Sequence, residues 1–144
     1  MNKKTLTIIC PAYNEEEVIH SFYTSLSKIL KDCSELYNCR ILFVLDGCTD
    51  NTFEILSNVA KKDLKVQIIL LSKNFGHQMC LVAGMDHTDS DIIIMMDSDL
   101  QHPPELIPKL LEQHEEGYDI VYTLRKELKA ERFFKRLTSR WFYS

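Results

Sequence analysis

The sequence predicts an α/β domain built on a mostly parallel sheet with helices on both faces. Five short apolar runs rich in β-branched residues alternate with segments long enough to be helices. Strands that alternate with helices in this way build parallel sheets, because each helix returns the chain to the starting end of the sheet. The 144 residues are 45% hydrophobic and 26% charged, which is typical of one globular domain that buries a core.

The predicted strands all have the ordinary length of strands in globular proteins. They are Thr5–Cys10, Arg40–Leu45, Val66–Leu71, Ile92–Met96 and Asp119–Thr123. One candidate helix separates each strand from the next.

The first predicted helix carries apolar residues at helical spacing over residues 18–30. Asn14 is its predicted N-cap, and Glu17, three residues later, is the capping-box partner. The second helix is expected to begin after Asp50 or Asn51.

The third predicted helix is short, over Gln78–Met85. The fourth starts at Pro104, since proline suits a first helical turn, and stops at Gly117.

The final segment, Lys126–Tyr143, presents an apolar face flanked by basic side chains if it is helical. Such a helix can lie on an anionic membrane surface or pack on further protein.

Composition excludes several classes of protein. The 17 Lys and Arg against 21 Asp and Glu give a formal net charge of −4, which argues against a general nucleic-acid binder. Residues 125–144 carry a net charge of +5, which leaves −9 for the rest of the chain.

Five cysteines without a C-x-x-C pair argue against a disulfide framework or zinc ribbon and favour a reducing, cytosolic setting. Neither a signal peptide nor an apolar run of about 18 residues occurs, so the chain as given is not expected to cross a bilayer.

Polar segments follow the first four predicted strands, at residues 11–15, 46–50, 72–76 and 97–102. Ligands of open parallel sheets bind at the carboxyl ends of the strands. These four segments are therefore expected to form one site.

Asp97-Ser98-Asp99 is the most informative of these segments. Residues two apart at the end of an extended strand point the same way, so both carboxylates are expected to face one cation. Mg²⁺ and Mn²⁺ prefer such hard oxygen ligands and keep positions open for phosphate oxygens. The pattern indicates a diphosphate ligand bridged by a divalent metal. His77 and His102 are further candidates, for the pocket wall and for phosphate or metal respectively.

Several ordered motifs carry a family resemblance. They are Pro11-Ala12-Tyr13-Asn14-Glu15-Glu16, the Asp46-Gly47 turn with Thr49-Asp50-Asn51-Thr52, Asn74-Phe75-Gly76, Ala83-Gly84 and Asp97-Ser98-Asp99-Leu100-Gln101. Together they resemble family 2 inverting glycosyltransferases, and within that family the polyprenyl-phosphate branch. The likeness runs from about Thr5 to Tyr143, nearly the whole chain.

The resemblance implies a glycosyltransferase A (Rossmann-like) nucleotide-binding half, a UDP- or GDP-linked sugar donor, Mg²⁺ or Mn²⁺, and a polyprenyl-phosphate acceptor. Asp97 is then expected near the ribose and diphosphate, Asp99 and Gln101 on the metal, and Arg125 on the phosphates. Asp97 and Asp99 are the residues assigned to catalysis. The remaining substrate-binding positions implied are Pro11, Ala12, Tyr13, Asn14 and Glu15 as a wall of the nucleotide pocket, Asp46 with Gly47 at the nucleoside, and Asn74, Gly76 and Ser98.

Two positions depart from the family pattern. Leu45 stands where an acidic residue is frequent, and Cys48 where serine is usual. Both bear on the identity of the base more than on metal binding.

A lipid phosphate acceptor is already anionic near neutral pH, so its attack on the anomeric carbon needs positioning and leaving-group stabilisation but no general base. A saccharide hydroxyl would need such a base, and the sequence offers no convincing candidate. Two alternatives stay open: a family 2 transferase acting on a saccharide hydroxyl, and a non-catalytic module that binds nucleotide and metal.

The expected organisation is a donor-binding α/β domain over residues 1–125 and a basic amphipathic segment, 126–144, that starts an acceptor or membrane part. This places the longer protein on the cytoplasmic side, peripheral to or anchored at a membrane. A phosphoacceptor receiver domain would need acidic residues after the first strand, where Cys10-Pro11-Ala12 stands. The glycine strings of dinucleotide-binding and P-loop enzymes do not occur.

Overall fold

The structure, a computed structural model, describes residues 3–124. Strands and helices alternate along this part of the chain. In chain order they are β1 (Lys4–Ala12), α1 (Ile19–Cys33), β2 (Tyr37–Leu45), α2 (Thr52–Ala60), β3 (Val66–Leu70), α3 (His77–Asp86), β4 (Ile92–Met95) and, after a 3₁₀ turn at Pro104–Leu106, α4 (Ile107–Glu115).

The four strands form one sheet in the order β3-β2-β1-β4, and all three neighbouring pairs are parallel. Strand β1 lies in the middle and pairs along its whole length with β2. The parallel sheet predicted from the alternation of strands and helices is confirmed. All four strands therefore end at the same edge of the sheet.

Helices cover both faces of the sheet, as predicted. Alternate residues of a strand point to opposite faces. Val44 faces α3, where it lies in one apolar cluster with Ile9 and Cys80. Its neighbour Phe43 points the other way and meets Phe22 of α1 edge to face, with the ring centroids 6.3 Å apart.

Helix α3 approaches β1 closely because Gly84 has no side chain. A Cβ at this position would lie 2.5 Å from Cγ2 of Ile9, which is fully buried. Only glycine permits this distance, since well-packed cores hold no room for an added carbon. The contact fixes α3 against the strand that supplies one wall of the site.

The chain divides into two compact units, residues 1–109 and 110–144. The first holds the whole sheet. In the second, the structure describes residues 110–124, which form the end of α4 and a stretch without regular structure. The boundary predicted at residue 125 and the amphipathic segment Lys126–Tyr143 lie outside the described residues. Among the helices of residues 3–124, none is both long and apolar enough to span a membrane.

The predicted fifth strand, Asp119–Thr123, is wrong: no strand forms there within the described residues. Its apolar side chains are largely in solvent, with Ile120 84% and Tyr122 74% exposed. A strand is stable only when its N–H and C=O groups pair with a neighbour. No described strand pairs with this stretch, so alternation of residue types alone does not make it a strand.

The predicted capping of the first helix is also wrong. Helix α1 begins at Ile19 after Val18, and no side chain caps it. Asn14 instead adopts a left-handed backbone, with φ of 53°, and its side-chain oxygen accepts the N–H of Thr49 at 2.8 Å. The backbone oxygen of Glu15 accepts the N–H groups of Val18 and Ile19. Asn14 therefore connects the loop after β1 to the loop after β2, and it does not cap α1.

Asp91, directly before β4, joins the start of β4 to the start of its neighbour β1 and makes a pH-dependent contribution to stability. One carboxylate oxygen accepts the backbone N–H of Thr5 at 2.7 Å and its hydroxyl at 2.8 Å. These hydrogen bonds hold the pKa of Asp91 below its usual value. The folded state therefore favours the ionised carboxyl, and this contribution is present above its ordinary pKa of 3.8 and lost as pH falls through the lower folded value.

We expect Asp91→Asn to reduce stability at pH 7 and to have a smaller effect in acid. Urea unfolding of both proteins at pH 7 and again near pH 2 measures the two differences. An equal loss at both pH values would show that the charge of Asp91 does not contribute.

Candidate functional site

A cleft of about 340 Å³ opens at the edge of the sheet where the strands end, within residues 3–109. Its walls come from the ends of β1, β2 and β4 and from the segment that enters α3. The lining residues are Pro11, Ala12, Tyr13, Glu15, Asp46, Asn74, Gly76, His77, Cys80, Asp97, Ser98 and Asp99. The structure thus brings most of the predicted site residues to one place.

Four predicted candidates among the described residues do not line the cleft: Asn14, Gly47, Gln101 and His102. Asn14 joins the loop after β1 to the loop after β2 through Thr49. Gln101 donates its backbone N–H to Asp99 Oδ1 at 2.9 Å. Arg125 lies outside the described residues, so its predicted role at the phosphates stays a prediction.

The loop after β1 is fixed to the start of α2 by hydrogen bonds of Glu15 and Glu16. The N–H of Glu15 donates to the hydroxyl of Thr52 at 2.8 Å, and the N–H of Glu16 donates to Asp50 at 3.1 Å. The Glu16 carboxylate in turn accepts both the backbone and the side-chain N–H of Asn51. These bonds hold the wall that carries Tyr13 and Glu15.

Asp46 lies at the base of the cleft and is 4% exposed. Its two oxygens accept the backbone N–H groups of Phe75 and Gly76, at 2.7 and 2.9 Å. A carboxylate that accepts two amides holds their loop in a defined position, because ionised acceptors form the stronger hydrogen bonds. A nucleoside in the predicted contact with Asp46 would therefore have to bind carboxylate oxygens that already accept the N–H groups of Phe75 and Gly76.

Cys80, on the first turns of α3, lines the cleft and was not predicted. Burial and the adjacent Asp46 carboxylate raise the pKa of its thiol to about 11. The group is therefore a neutral thiol at physiological pH and packs as a small apolar side chain. The sequence gives no signal for its location, since the helix it lies on has no strongly apolar face.

The Asp97-Ser98-Asp99 segment extends β4 along β1. Met96 donates its N–H to the Ile9 carbonyl, and the Ser98 hydroxyl, 2% exposed, donates to the Pro11 carbonyl at 2.8 Å. Because the alternation of strand residues continues here, Asp97 and Asp99 at the cleft are both half-buried, while Ser98 between them is buried.

Two imidazoles flank Asp97. Nε2 of His77 lies 2.7 Å from one carboxylate oxygen, and Nδ1 of His102 lies 3.3 Å from the other. The His102 nitrogen is buried and makes no hydrogen bond within the described structure. Among residues 3–124, no Lys or Arg forms an ion pair with Asp97 or Asp99.

Negative charge is crowded in the cleft. Burial, and the charges of Asp99 and Asp50, raise the pKa of Glu15 above its usual value. Carboxylates that repel one another and have no Lys or Arg partner favour a bound cation.

The donor set suits Mg²⁺ or Mn²⁺. Within the part of the chain that is described, no three His, Cys, Asp or Glu side chains form a complete metal-binding group. Asp99 and Asp97 supply carboxylate oxygens at the cleft, and Mg²⁺ characteristically binds through one or two carboxylates and completes its shell with phosphates and water. The residues present therefore fit such a metal.

The family model for glycosyl transferase family 2 matches residues 7–144. The chain is 44% identical over 137 residues to an uncharacterized glycosyltransferase, YkcC, of Bacillus subtilis, covering 95% of this chain and 42% of the relative. It is 38% identical over 140 residues to the bactoprenol glucosyl transferase of Shigella phage SfX, covering 96% and 45%. The chain spans less than half the length of these curated relatives.

A solved structure shares the fold. The mannosyltransferase PcManGT of Pyrobaculum calidifontis, in complex with GDP-Man and Mn²⁺, superposes with a TM-score of 0.59 at 18% identity, over 68% of this chain and 28% of that one. The glycosyltransferase A architecture implied by the motifs is confirmed, as is the family resemblance. The chain belongs to glycosyl transferase family 2.

Proposed function

We propose that this chain is the donor-binding part of a metal-dependent inverting glycosyltransferase, which transfers a sugar from a UDP- or GDP-linked donor to a polyprenyl phosphate. The observation that carries the proposal is the acidic cleft at the carboxyl edge of the sheet, where Asp97 and Asp99 both lie and neither forms an ion pair with a Lys or Arg among the described residues. Identity of 38% to a bactoprenol glucosyl transferase supports the acceptor class.

Each wall of the cleft would have a separate task. Tyr13 and Glu15 would border the nucleoside, and Asp97 would lie near the ribose and diphosphate. Asp99, with Gln101, would hold the divalent metal. When bound, the metal neutralises charge that develops on the departing nucleoside diphosphate.

The reaction is a single displacement at the anomeric carbon. A bond forms between that carbon and a phosphate oxygen of the lipid, while the bond from the carbon to the diphosphate oxygen breaks. The acceptor is already an anion, so the protein has only to align the two partners and stabilise the leaving group. The proposal also includes a peripheral location of the protein at the cytoplasmic side of a membrane. Segment 126–143 would contact the membrane surface there.

A transfer assay with the intact protein tests the proposal. Labelled UDP- and GDP-sugars are each incubated with Mn²⁺ and one of three acceptors: undecaprenyl phosphate, a free saccharide, or, as the matched control, undecaprenol, which lacks the phosphate. We expect one donor to give an organic-soluble glycolipid with the phosphate acceptor alone. Transfer only to a saccharide hydroxyl would favour the alternative acceptor, and nucleotide binding without transfer to any acceptor would favour the non-catalytic module.

A further inference from the structure

A series of hydrogen bonds runs from Asp46 to Asp97 through the start of α3. The Asp46 carboxylate holds the N–H groups of Phe75 and Gly76. The next residue, His77, is the first of α3 and places Nε2 2.7 Å from Asp97 Oδ1. The ends of β2 and β4 are thereby connected through two side chains, those of Asp46 and His77, and the backbone between Phe75 and His77.

We infer that His77 is a positioning residue, which fixes the orientation of the Asp97 carboxylate for a nucleoside diphosphate and its metal. The inference rests on the proposed function. The motif quoted for the family resemblance in this segment ends at Gly76 and does not include His77.

Asp97 needs such support because its carboxylate can otherwise turn. The side-chain torsion that rotates a carboxylate is broad, with no sharply preferred value. The Asp97 side chain is 38% exposed, so packing does not fix it. One short hydrogen bond to His77, whose two preceding residues are held by Asp46, fixes which of the two oxygens is engaged.

The two oxygens of Asp97 are then unequal. Oδ1 lies 2.7 Å from Nε2 of His77, and because a carboxylate oxygen accepts, we assign the hydrogen of this bond to Nε2. Oδ2 lies 3.3 Å from His102 Nδ1 but makes no hydrogen bond with it. Oδ2 is therefore the oxygen that a ligand or metal can engage.

His77 also lines the cleft, so a direct contact with the diphosphate is the competing explanation. A double-mutant cycle separates the two, because a residue that acts only through Asp97 loses its effect when Asp97 is removed. The measured quantity is the affinity of the intact protein for UDP or GDP in Mn²⁺, by calorimetry, with the same nucleotide in EDTA as reference.

We expect His77→Ala to weaken Mn²⁺-dependent nucleotide binding about tenfold, equivalent to roughly 1.4 kcal/mol, and to have no further effect in an Asp97→Ala background. His77→Gln places a donor at nearly the same position as Nε2 and is expected to restore affinity to within about threefold. His77→Asn carries the same amide on a shorter side chain and is expected to behave like His77→Ala. His87→Ala, at the exposed residue that directly follows α3, is the matched control and should leave affinity unchanged.

If His77→Ala lowers the nucleotide affinity equally in the parent and in the Asp97→Ala background, direct contact of His77 with the diphosphate replaces the inference. The inference is also overturned if His77→Ala leaves the affinity unchanged, or if His77→Gln does not restore it. If Asp97→Ala itself binds nucleotide like the parent protein, both the inference and the proposed site are wrong. A weakened Asp97→Ala variant combined with a neutral His77→Ala variant contradicts the inference alone.

Discussion

Gly47→Ala is expected to destabilise the protein by about 3 kcal/mol and to disrupt the candidate donor cleft. Gly47 has φ of +66°, a region that costs a residue with a side chain roughly 1–2 kcal/mol. An added Cβ would also lie 2.5 Å from the carbonyl carbon of Lys73 and 2.6 Å from the backbone nitrogen of Asn74. Backbone atoms cannot turn aside as a side chain does, so the overpacking adds roughly 1–3 kcal/mol.

The clash displaces the loop that Asp46 holds, and with it the start of α3. We therefore expect a melting temperature lower by about 10 °C, together with weaker nucleotide binding. Gly117→Ala is the matched control: Gly117 has φ of +103° but open space around the position of a Cβ. Thermal unfolding of both variants compares them, and a Gly47→Ala variant no less stable than Gly117→Ala would contradict the close approach of the two loops.

Asp99→Asn is expected to abolish the metal-dependent part of nucleotide binding. A ligand at a hundredfold excess over its Kd stabilises a protein by about 2.7 kcal/mol, so Mn²⁺ and the correct nucleotide together should raise the melting temperature of the parent protein. The amide keeps the shape of Asp99 but carries no charge for a hard cation. The variant should show only the shift seen with nucleotide and EDTA.

Sugar transfer by the Asp99→Asn variant should fall by about a hundredfold or more, the loss typical when a group that stabilises developing charge is removed. Asp89→Asn is a matched control, because Asp89 is an exposed carboxylate outside the cleft. A metal-dependent shift that survives in Asp99→Asn would place the metal elsewhere.

The parallel sheet could be predicted because its signal is local and repeated. Short apolar strands, each followed by a helix, leave few other arrangements. The fifth strand and the Asn14 cap could not be assigned correctly, since each depends on a partner distant in sequence. Residues 119–123 have no strand beside them in the described structure, and Asn14 bonds Thr49 instead of its own helix.

The candidate site was predictable to the extent that it follows strand ends. The alternation through Asp97, Ser98 and Asp99 places two carboxylates on one side, and the structure has them both at the cleft. The hydrogen bonds that Asp46 and His77 form with other parts of the site could not be predicted from the sequence. Their partners lie 29, 30 and 20 residues away, and no residue pattern records which distant group a side chain meets.

The most direct test of the nucleotide and metal site is a calorimetric titration of the intact protein with UDP and with GDP, each in MnCl₂ and again in EDTA. We predict that one nucleotide binds at least about tenfold more tightly with Mn²⁺, a gain of about 1.4 kcal/mol from the bridging ion, and that Asp99→Asn binds it as weakly in Mn²⁺ as the parent does in EDTA. Equal affinity in Mn²⁺ and EDTA, or no binding of either nucleotide, would contradict a metal-bridged diphosphate at Asp97 and Asp99.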